Sequence, residues 1–110
     1  MSPEIKKLLF DISESIKIIE GHLKNVKEFS EYNTDLKTVD AVERRLAIIG
    51  EALWKADKEV NDLAISNKNK IISLRHILVH DYDLIENETI WVICKKHIPI
   101  LKTEVEQLLK

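Results

Sequence analysis

The segment RHILVHDYD, residues 75–83, brings a cation, two histidines, a phenol and two carboxylates together. It ends an apolar helical pattern, so these side chains gather at the C-terminus of a predicted helix. One interpretation is structural. Arg75 would pair with a nearby carboxylate, and His80 would interact favourably with the helix C-terminus. A metal site and a phosphate-binding site are the two other interpretations.

For a metal site, His76 and His80 are four residues apart and share a helix face. Asp81 or Asp83 could complete a coordination set. However, the spacing lacks the glutamate that follows the first histidine in the zinc-peptidase motif. His97 lies on another predicted helix, so no third histidine is near in sequence. The sequence therefore favours a site without metal.

Phosphate chemistry needs neither a metal nor another cofactor. Arginine presents a planar fork of donors to a phosphoryl group as its negative charge grows. Histidine titrates near neutrality and transfers protons. In RNA the neighbouring 2′-hydroxyl attacks the phosphate, so the enzyme needs a base, an acid and a cation. Arg75 and His80 supply two of these roles, and a second copy in a two-fold dimer could supply the rest.

Helix geometry limits how Arg75 and His80 can meet. In a regular helix, residues five apart lie about 140° apart around the axis. Two arrangements bring both side chains to one phosphate: a helix that ends or distorts before His80, or a site shared across a dimer. The polar run at residues 81–87 fits a helix that ends near His80.

Apolar residues spaced three and four apart predict two long helices ahead of this segment. Ser2 is a plausible N-cap of the first helix, with Pro3 at its first position. The polar residues 30–38 form the predicted connection, so the two helices should pack antiparallel. The first seam consists of Ile5, Leu9, Ile12, Ile16, Ile19, Leu23 and Val26. The second consists of Val39, Val42, Leu46, Ile49, Leu53, Ala56 and Val60, with Ala41, Ile48 and Ala52 beside it.

The second half predicts shorter elements. Residues 61–69 form a polar loop, and a helix follows at about residues 68–79. Asn87 is the predicted N-cap of another short helix, and Pro99 begins the last one. The predicted inward residues are Ile71, Ile72 and Leu78, then Ile90, Trp91 and Cys94, then Leu101, Val105, Leu108 and Leu109. Together these patterns predict an all-α, up-and-down bundle of four or five helices, forming one domain over residues 1–110.

Composition restricts the class of protein. No apolar run is long enough to cross a membrane, and no secretory signal is visible. The single cysteine, Cys94, forms no internal disulfide, which favours a cytoplasmic chain without a membrane partner. The net charge of −2 restricts RNA contact to a local basic patch. The candidates are Lys68, Lys70, Arg75, Lys95 and Lys96, although each lysine taken singly is more typical of a solvated helix face.

Arg44 and Glu51 are seven residues apart and share one face of the second long helix. One hypothesis is that they line or brace a cleft at the site. The preferred interpretation is an ordinary ion pair, within this helix or to a neighbouring one. Tyr32, His22 and His97 belong to no motif, which favours surface or core roles for them.

Two stretches resemble a known family. RHILVHDY at residues 75–82 is similar to the R-x4-H-x-Y motif of HepT-like toxins in the HEPN superfamily, and DAVERRLAIIGEA at residues 40–52 resembles that family's second-helix signature. Trp91 and Pro99 follow at similar spacing, so the resemblance covers most of the chain. His76 departs from the asparagine more usual in the family.

The resemblance implies a helical homodimer whose two motifs meet in a cleft and cleave RNA without metal. It implies the toxin of a bacterial or archaeal type VII HepT–MntA-like pair, whose partner is a minimal nucleotidyltransferase antitoxin. That partner would transfer AMP from ATP to Tyr82, next to Arg75 and His80, and so block the cleft. His76 and Asp81, with Arg44 and Glu51, are candidates for supporting the cleft. The alternative function is a non-catalytic helical module that binds nucleotides or a nucleotidyltransferase.

Overall fold

The first helix begins where its capping residues predict. In the computed structural model, which describes residues 1–60 and 62–110, the Ser2 hydroxyl accepts a hydrogen bond from the Ile5 backbone N–H at 3.2 Å. Pro3 follows at the first helical position, where its missing N–H costs nothing. The helices are α1 (Pro3–Leu23), α2 (Phe29–Asn33), α3 (Leu36–Glu59), α4 (Lys68–His80), α5 (Asn87–Val92) and α6 (Ile98–Leu109). The described residues contain no strand, which confirms the predicted all-α class.

The two predicted apolar seams form most of the core between α1 and α3. Six of the seven positions in each seam are buried, and the last of each, Val26 and Val60, lies beyond its helix and is partly buried. Burying such side chains contributes roughly 1.5–3 kcal/mol for each large aliphatic residue. These two helices therefore provide the rigid base on which α4 lies.

The predicted connection at residues 30–38 is wrong in detail, because it includes the short helix α2 and the start of α3. α2 is held by Tyr32, which is fully buried and lies 5.5 Å from Trp91 between ring centroids. Asp35 then caps α3, accepting hydrogen bonds from the Thr38 N–H at 3.2 Å and from its hydroxyl at 2.7 Å. These bonds lower the pKa of the Asp35 carboxyl. A polar composition suggested a loop, but one buried tyrosine and one cap are enough to form helix here.

The loop between α3 and α4 was predicted at residues 61–69, and residues 62–67 are described as turns and irregular chain. Asn61 lies outside the described residues. Leu63 and Ile65 are buried, and Ser66 donates from its N–H and its hydroxyl to Glu104 at 3.0 and 3.1 Å. Asn67 adopts a left-handed conformation (φ 57°) just before α4, a conformation that asparagine tolerates better than most residues. The loop is therefore anchored to α6 and to the core, and α4 is held at its N-terminus.

The last helix begins at Ile98, with Pro99 in its first turn as predicted, but it continues from α5 without a break. A π-helical turn at Ile93–His97 links α5 to α6, and the Ile98 N–H donates to the Ile93 carbonyl five residues back. Proline in a regular helix clashes with the carbonyl four residues before it, and a wider turn relieves that clash. Asn87 is the first residue of α5 rather than its cap, and its amide donates to Asn33 Oδ1 at 2.9 Å.

The apolar face of α6 is shorter than predicted. Leu101 and Val105 are buried and Leu108 is partly buried, but Leu109 is exposed because the helix end extends past the core. On α4, Leu74 is buried in addition to the predicted Ile71, while Ile72 and Leu78 are only partly buried. Among the described residues, no helix is both long and apolar enough to cross a membrane.

Candidate functional site

Gly50 determines how closely α4 approaches α3. A Cβ atom built on Gly50 would collide with Arg75 Cβ and would lie 3.0 Å from the Ile71 carbonyl oxygen. Any larger side chain would therefore displace α4 or its arginine. This contact gives the glycine of the I-I-G-E-A stretch a physical role: it lets the backbone of α4 pack directly against α3.

Arg75 is held by Glu51, the residue after that glycine. Its Nε donates to Glu51 Oε2 at 2.6 Å, and the two side chains are 22% and 39% exposed. Lys55 Nζ lies 3.8 Å from the other Glu51 oxygen. Within the described residues the recorded hydrogen bond of Arg75 uses Nε, which leaves its two terminal nitrogens for another acceptor. The cation is therefore oriented before any ligand arrives.

A cleft of about 380 Å³ opens beside this ion pair, between α1, α3 and α4. Its polar lining combines three cations with two carboxylates: Arg44, Lys55, Arg75, Asp11 and Glu51. Its apolar lining includes Leu8, Ala47, Ile48, Ala52 and Val79. The cations outnumber the carboxylates by one, which suits a phosphate group, and the apolar lining suits a larger organic group attached to that phosphate.

Arg44 and Glu51 therefore both line the cleft. Glu51 also forms the ion pair that was the preferred interpretation, but its partner is Arg75 on α4 and not Arg44. Of the predicted basic patch, the cleft contains Arg75, whereas Lys68 lies 2.7 Å from Asp57 and Lys95 stacks over Trp91 at 4.6 Å. The cations that accompany Arg75 belong to α3 instead.

His80 lies on a different side of α4. His80 is the last residue of α4, so the helix ends near His80, as the polar run after it predicted, but does not end before it. His80 is exposed, and its ring packs against the ring of His76 with centroids 4.8 Å apart. Asp81 follows as the C-cap, where its backbone N–H donates to the Ile77 carbonyl at 2.8 Å. Neither histidine lines the cleft, and the Asp81 side chain does not line it either.

Tyr82 begins a short 3-10 turn, Tyr82–Leu84, directly after α4. Its side chain is 72% exposed. The turn is closed by the Leu84 N–H, which donates to the Asp81 carbonyl at 2.8 Å. The phenol is therefore accessible to a large partner and is supported by a short, hydrogen-bonded turn.

The described part of the chain contains no group of three or more histidine, cysteine or carboxylate side chains with metal-binding geometry. His76 and His80 form a pair only. A metal centre at this pair would need further donors from outside the described residues.

The remaining chemically capable residues lie elsewhere. Tyr32 is buried, and burial raises the pKa of its phenol. Burial also raises the pKa of the Cys94 thiol, to about 12, so this thiol is protonated at neutral pH. His22 is exposed at the end of α1, and His97 is half-buried in the π-helical turn. These positions agree with the core and surface roles predicted for Tyr32, His22 and His97.

Sequence reasoning missed Trp54 and the role of Gly50. Trp54 lies three residues after Glu51, on the same side of α3. Its contact with Lys58, four residues later, is local to the helix, whereas its contact with Arg75 is a tertiary property. The sequence alone does not single out Gly50, because Gly21 also lies inside a helical pattern and nothing lies within 4 Å of a Cβ atom added there. Asp11 and Lys55 carry no sequence signal that separates them from other charged helix positions.

Comparison with known proteins confirms the family that the sequence resembles. The family model "Ribonuclease HepT-like" matches residues 12–108. "Putative RNase MJ1216" of Methanocaldococcus jannaschii is 32% identical over 108 residues, covering 97% of this chain and 88% of that protein. "Probable ribonuclease HepT" of Thermococcus cleftensis is 33% identical over 106 residues, covering 96% of each chain. No solved structure matches the chain. The family match includes α3, α4 and the turn after α4, with the cleft residues that these two helices contribute, and the chain belongs to the HepT-like ribonuclease family.

Proposed function

We propose that the chain is the toxin of a toxin–antitoxin pair, a metal-independent endoribonuclease that acts as a two-fold dimer. The observation that carries this proposal is the Arg75 guanidinium, oriented by Glu51 at 2.6 Å beside a cleft of about 380 Å³. Its terminal nitrogens offer a phosphate two parallel hydrogen bonds, which matter most when charge builds up in the transition state.

His80 is the proton-transfer residue in this proposal. Because His80 lies about 140° around α4 from Arg75, we infer that the two residues act on one phosphate from different copies of the chain. In a two-fold dimer, Arg75 of one copy and His80 of the other can face the same phosphate. The RNA 2′-oxygen then attacks phosphorus while a histidine removes its proton. The bond to the 5′-oxygen breaks, that oxygen receives a proton, and a 2′,3′-cyclic phosphate remains.

Cleavage of RNA in EDTA tests the metal-free mechanism. We expect activity to persist in EDTA, to fall about 10²–10³-fold in Arg75→Ala, and to fall about 10²–10⁴-fold in His80→Ala. His22→Ala is the matched control, because His22 is exposed on α1 away from the cleft. Activity that disappears in EDTA and returns with a divalent ion would overturn the mechanism.

Mixing the two inactive variants tests whether the site is shared. If Arg75 and His80 act across the dimer, a heterodimer of Arg75→Ala and His80→Ala chains contains one intact site. Random re-association should then restore about a quarter of the wild-type activity. If both residues act within one chain, every site in the mixture is defective and activity does not return.

We further propose that Tyr82 accepts AMP from a minimal nucleotidyltransferase antitoxin. Its phenol oxygen would attack the α-phosphate of ATP and release pyrophosphate. Its exposure and its position two residues after His80 support this assignment. The AMP phosphate would place negative charge and bulk beside the site. Intact-mass measurement of the chain, expressed with and without its neighbouring gene, tests this. We expect added mass in whole AMP units that disappears in Tyr82→Phe.

A non-catalytic module that binds nucleotides or a nucleotidyltransferase is the second candidate function. The separation of His80 from the cleft and the net charge of −2 favour it. Growth inhibition by the expressed chain separates the two functions. A toxin enzyme loses growth inhibition in both Arg75→Ala and His80→Ala while remaining folded and dimeric, whereas a binding module does not depend on both residues.

A further inference from the structure

The two tryptophans of the chain have different surroundings. Trp91 is half-buried between aromatic rings, with centroids 6.4 Å from Phe29 and 5.5 Å from Tyr32. Lys95 Nζ also lies over the Trp91 ring, 4.6 Å from its centre. Trp54, on α3, is 39% exposed, and within the described residues its ring contacts cations but no other aromatic ring. Packing therefore explains Trp91 but does not explain why a large aromatic ring lies on the surface at Trp54.

The cations beside Trp54 connect it to the cleft. Lys58 Nζ lies 4.2 Å from the centre of the Trp54 ring, and Arg75 Cζ lies 5.5 Å from it. The same Arg75 is hydrogen-bonded to Glu51 and lines the cleft. The Arg75 guanidinium group therefore lies between the Trp54 ring and the position proposed for the phosphate.

A partly exposed indole next to cations is a suitable surface for a nucleobase. Aromatic side chains bind single-stranded RNA by stacking on bases, while neighbouring cations bind the phosphates. Lys58 is exposed on a flexible stem, so a base can displace it from the ring and leave its ammonium free for a phosphate. The free chain thus holds a cation where the strand would place a base.

We propose that Trp54 is a nucleobase-stacking subsite, which binds the base of a nucleotide adjacent to the phosphate held by Arg75. This inference rests on the proposed ribonuclease function and adds a position for the RNA strand on α3. Stacking is tolerant of base identity because every base has a π-face, so the subsite contributes affinity and strand placement more than sequence choice.

The experiment uses a single-stranded oligonucleotide with 2′-O-methyl groups throughout, which lacks the attacking hydroxyl. Binding to the full chain is measured by fluorescence anisotropy and by quenching of tryptophan emission. We expect Trp54→Ala to weaken binding about 5- to 100-fold, and Trp54→Phe to retain most of the affinity. The quenching should disappear in Trp54→Phe, because the remaining Trp91 is packed against other rings. Ile100→Ala, at a residue 48% exposed on α6, is the control and should bind like the wild type.

Cleavage kinetics of the same variants provide a second measurement, in which Trp54→Ala should raise KM more than it lowers kcat. Unchanged affinity and KM in Trp54→Ala, or quenching that persists in Trp54→Phe, would overturn the subsite. So would a loss of affinity that follows dissociation of the dimer in sedimentation, since the ring would then be a contact between copies. If the wild-type chain neither binds nor cleaves RNA, the proposed function itself is wrong. If the wild type is active and Trp54→Ala binds and cleaves RNA equally well, only the stacking subsite is wrong.

Discussion

The two faces of α4 differ in how firmly the chain holds their functional side chains. On one face, Arg75 packs against Gly50 and is hydrogen-bonded to Glu51 at 2.6 Å. On the other, His76 and His80 are exposed and contact each other. The faces lie on one regular helix, so backbone order does not account for the difference. It arises from α3, which lies against the first face and not against the second.

This comparison indicates a division of roles. A group that stabilises charge works best when it is oriented in advance, because reorienting it during the reaction costs free energy. The chain supplies that orientation for Arg75 on its own. Among the described residues, His80 has no comparable support, and in the proposed dimer a second copy would provide it. The variants below test the comparison through the free energy of unfolding, from the largest expected effect to the smallest.

Gly50→Ala should destabilise the anchored face most. The new methyl group would collide with Arg75 and crowd the Ile71 carbonyl, so α4 must shift, at a cost of about 1–3 kcal/mol. Urea denaturation measures this cost. Gly21→Ala is the matched control, because nothing lies within 4 Å of its added Cβ. That helical glycine should gain about 0.5–1 kcal/mol of stability on substitution. Equal effects at the two glycines would contradict the close approach of α3 and α4.

Arg75→Ala and His80→Ala should differ in stability although they lie on one helix. Arg75→Ala removes an ion pair and the packed stem of the arginine, which we expect to cost about 1 kcal/mol. His80→Ala should change stability by less than about 0.5 kcal/mol, because the residue is exposed. Chemical denaturation of both variants under identical conditions gives the comparison. A stability loss in His80→Ala as large as that in Arg75→Ala would show that the second face is also anchored.

Glu51→Gln should separate orientation from stability. The amide oxygen can still accept from Arg75 Nε but carries no charge, and the ion pair is partly exposed, so the stability loss should stay below about 1 kcal/mol. RNA cleavage should fall more, by about tenfold, because the guanidinium is less firmly held. Measuring kcat and KM beside urea denaturation tests this. Wild-type cleavage by a correctly folded Glu51→Gln chain would remove Glu51 as a positioning residue.

Substitution of Glu43 should change the free energy of unfolding least, and it should increase stability rather than decrease it. Burial, reinforced by the charge of Asp40, raises the pKa of the Glu43 carboxyl. The folded state therefore binds this proton more tightly than the unfolded chain, and the Glu43 contribution to stability falls as pH rises through the carboxyl range. Glu43→Gln should be slightly more stable than wild type at pH 7, with the gap closing as pH falls below the raised pKa. Because the lowered pKa of Asp35 gives the opposite slope, the measured quantity is the difference between variant and wild type at each pH.

Periodicity predicted the long helices and most of the core, because a buried seam on an amphipathic helix leaves a direct pattern in the sequence. It failed where one tertiary contact outweighs local composition. The buried Tyr32 lies in α2, within a polar stretch that was predicted to be a connection. The π-helical turn at Ile93–His97 joins α5 to α6 without a break. Neither effect is visible in a window of neighbouring residues.

At the site, one of the three interpretations of the sequence paired Arg75 with a nearby carboxylate, and the structure identifies Glu51 as the partner. It also placed Arg44 and Glu51 on one face, and both line the cleft. It did not predict Trp54 or Asp11 as neighbours of that region, because their proximity depends on how α1, α3 and α4 pack together. The catalytic roles of Arg75 and His80, and the modification of Tyr82, remain predictions.

The π-helical turn also sets the phase between the two ends of the last helical segment. Ile90 and Cys94 are buried before or within it, and Leu101 and Val105 are buried after it. A wider turn contains one residue more than an α-helical turn, so it shifts by one residue which later positions face the core. Deleting one residue within Ile93–His97 would convert the π-helical turn into an α-helical one and leave Leu101 and Val105 close to their present directions, because the wide turn already accommodates one extra residue. A deletion within the regular part of either flanking helix would instead rotate the side chains beyond it by about 100°, so the π-helical turn should tolerate the loss of one residue better than those helices do.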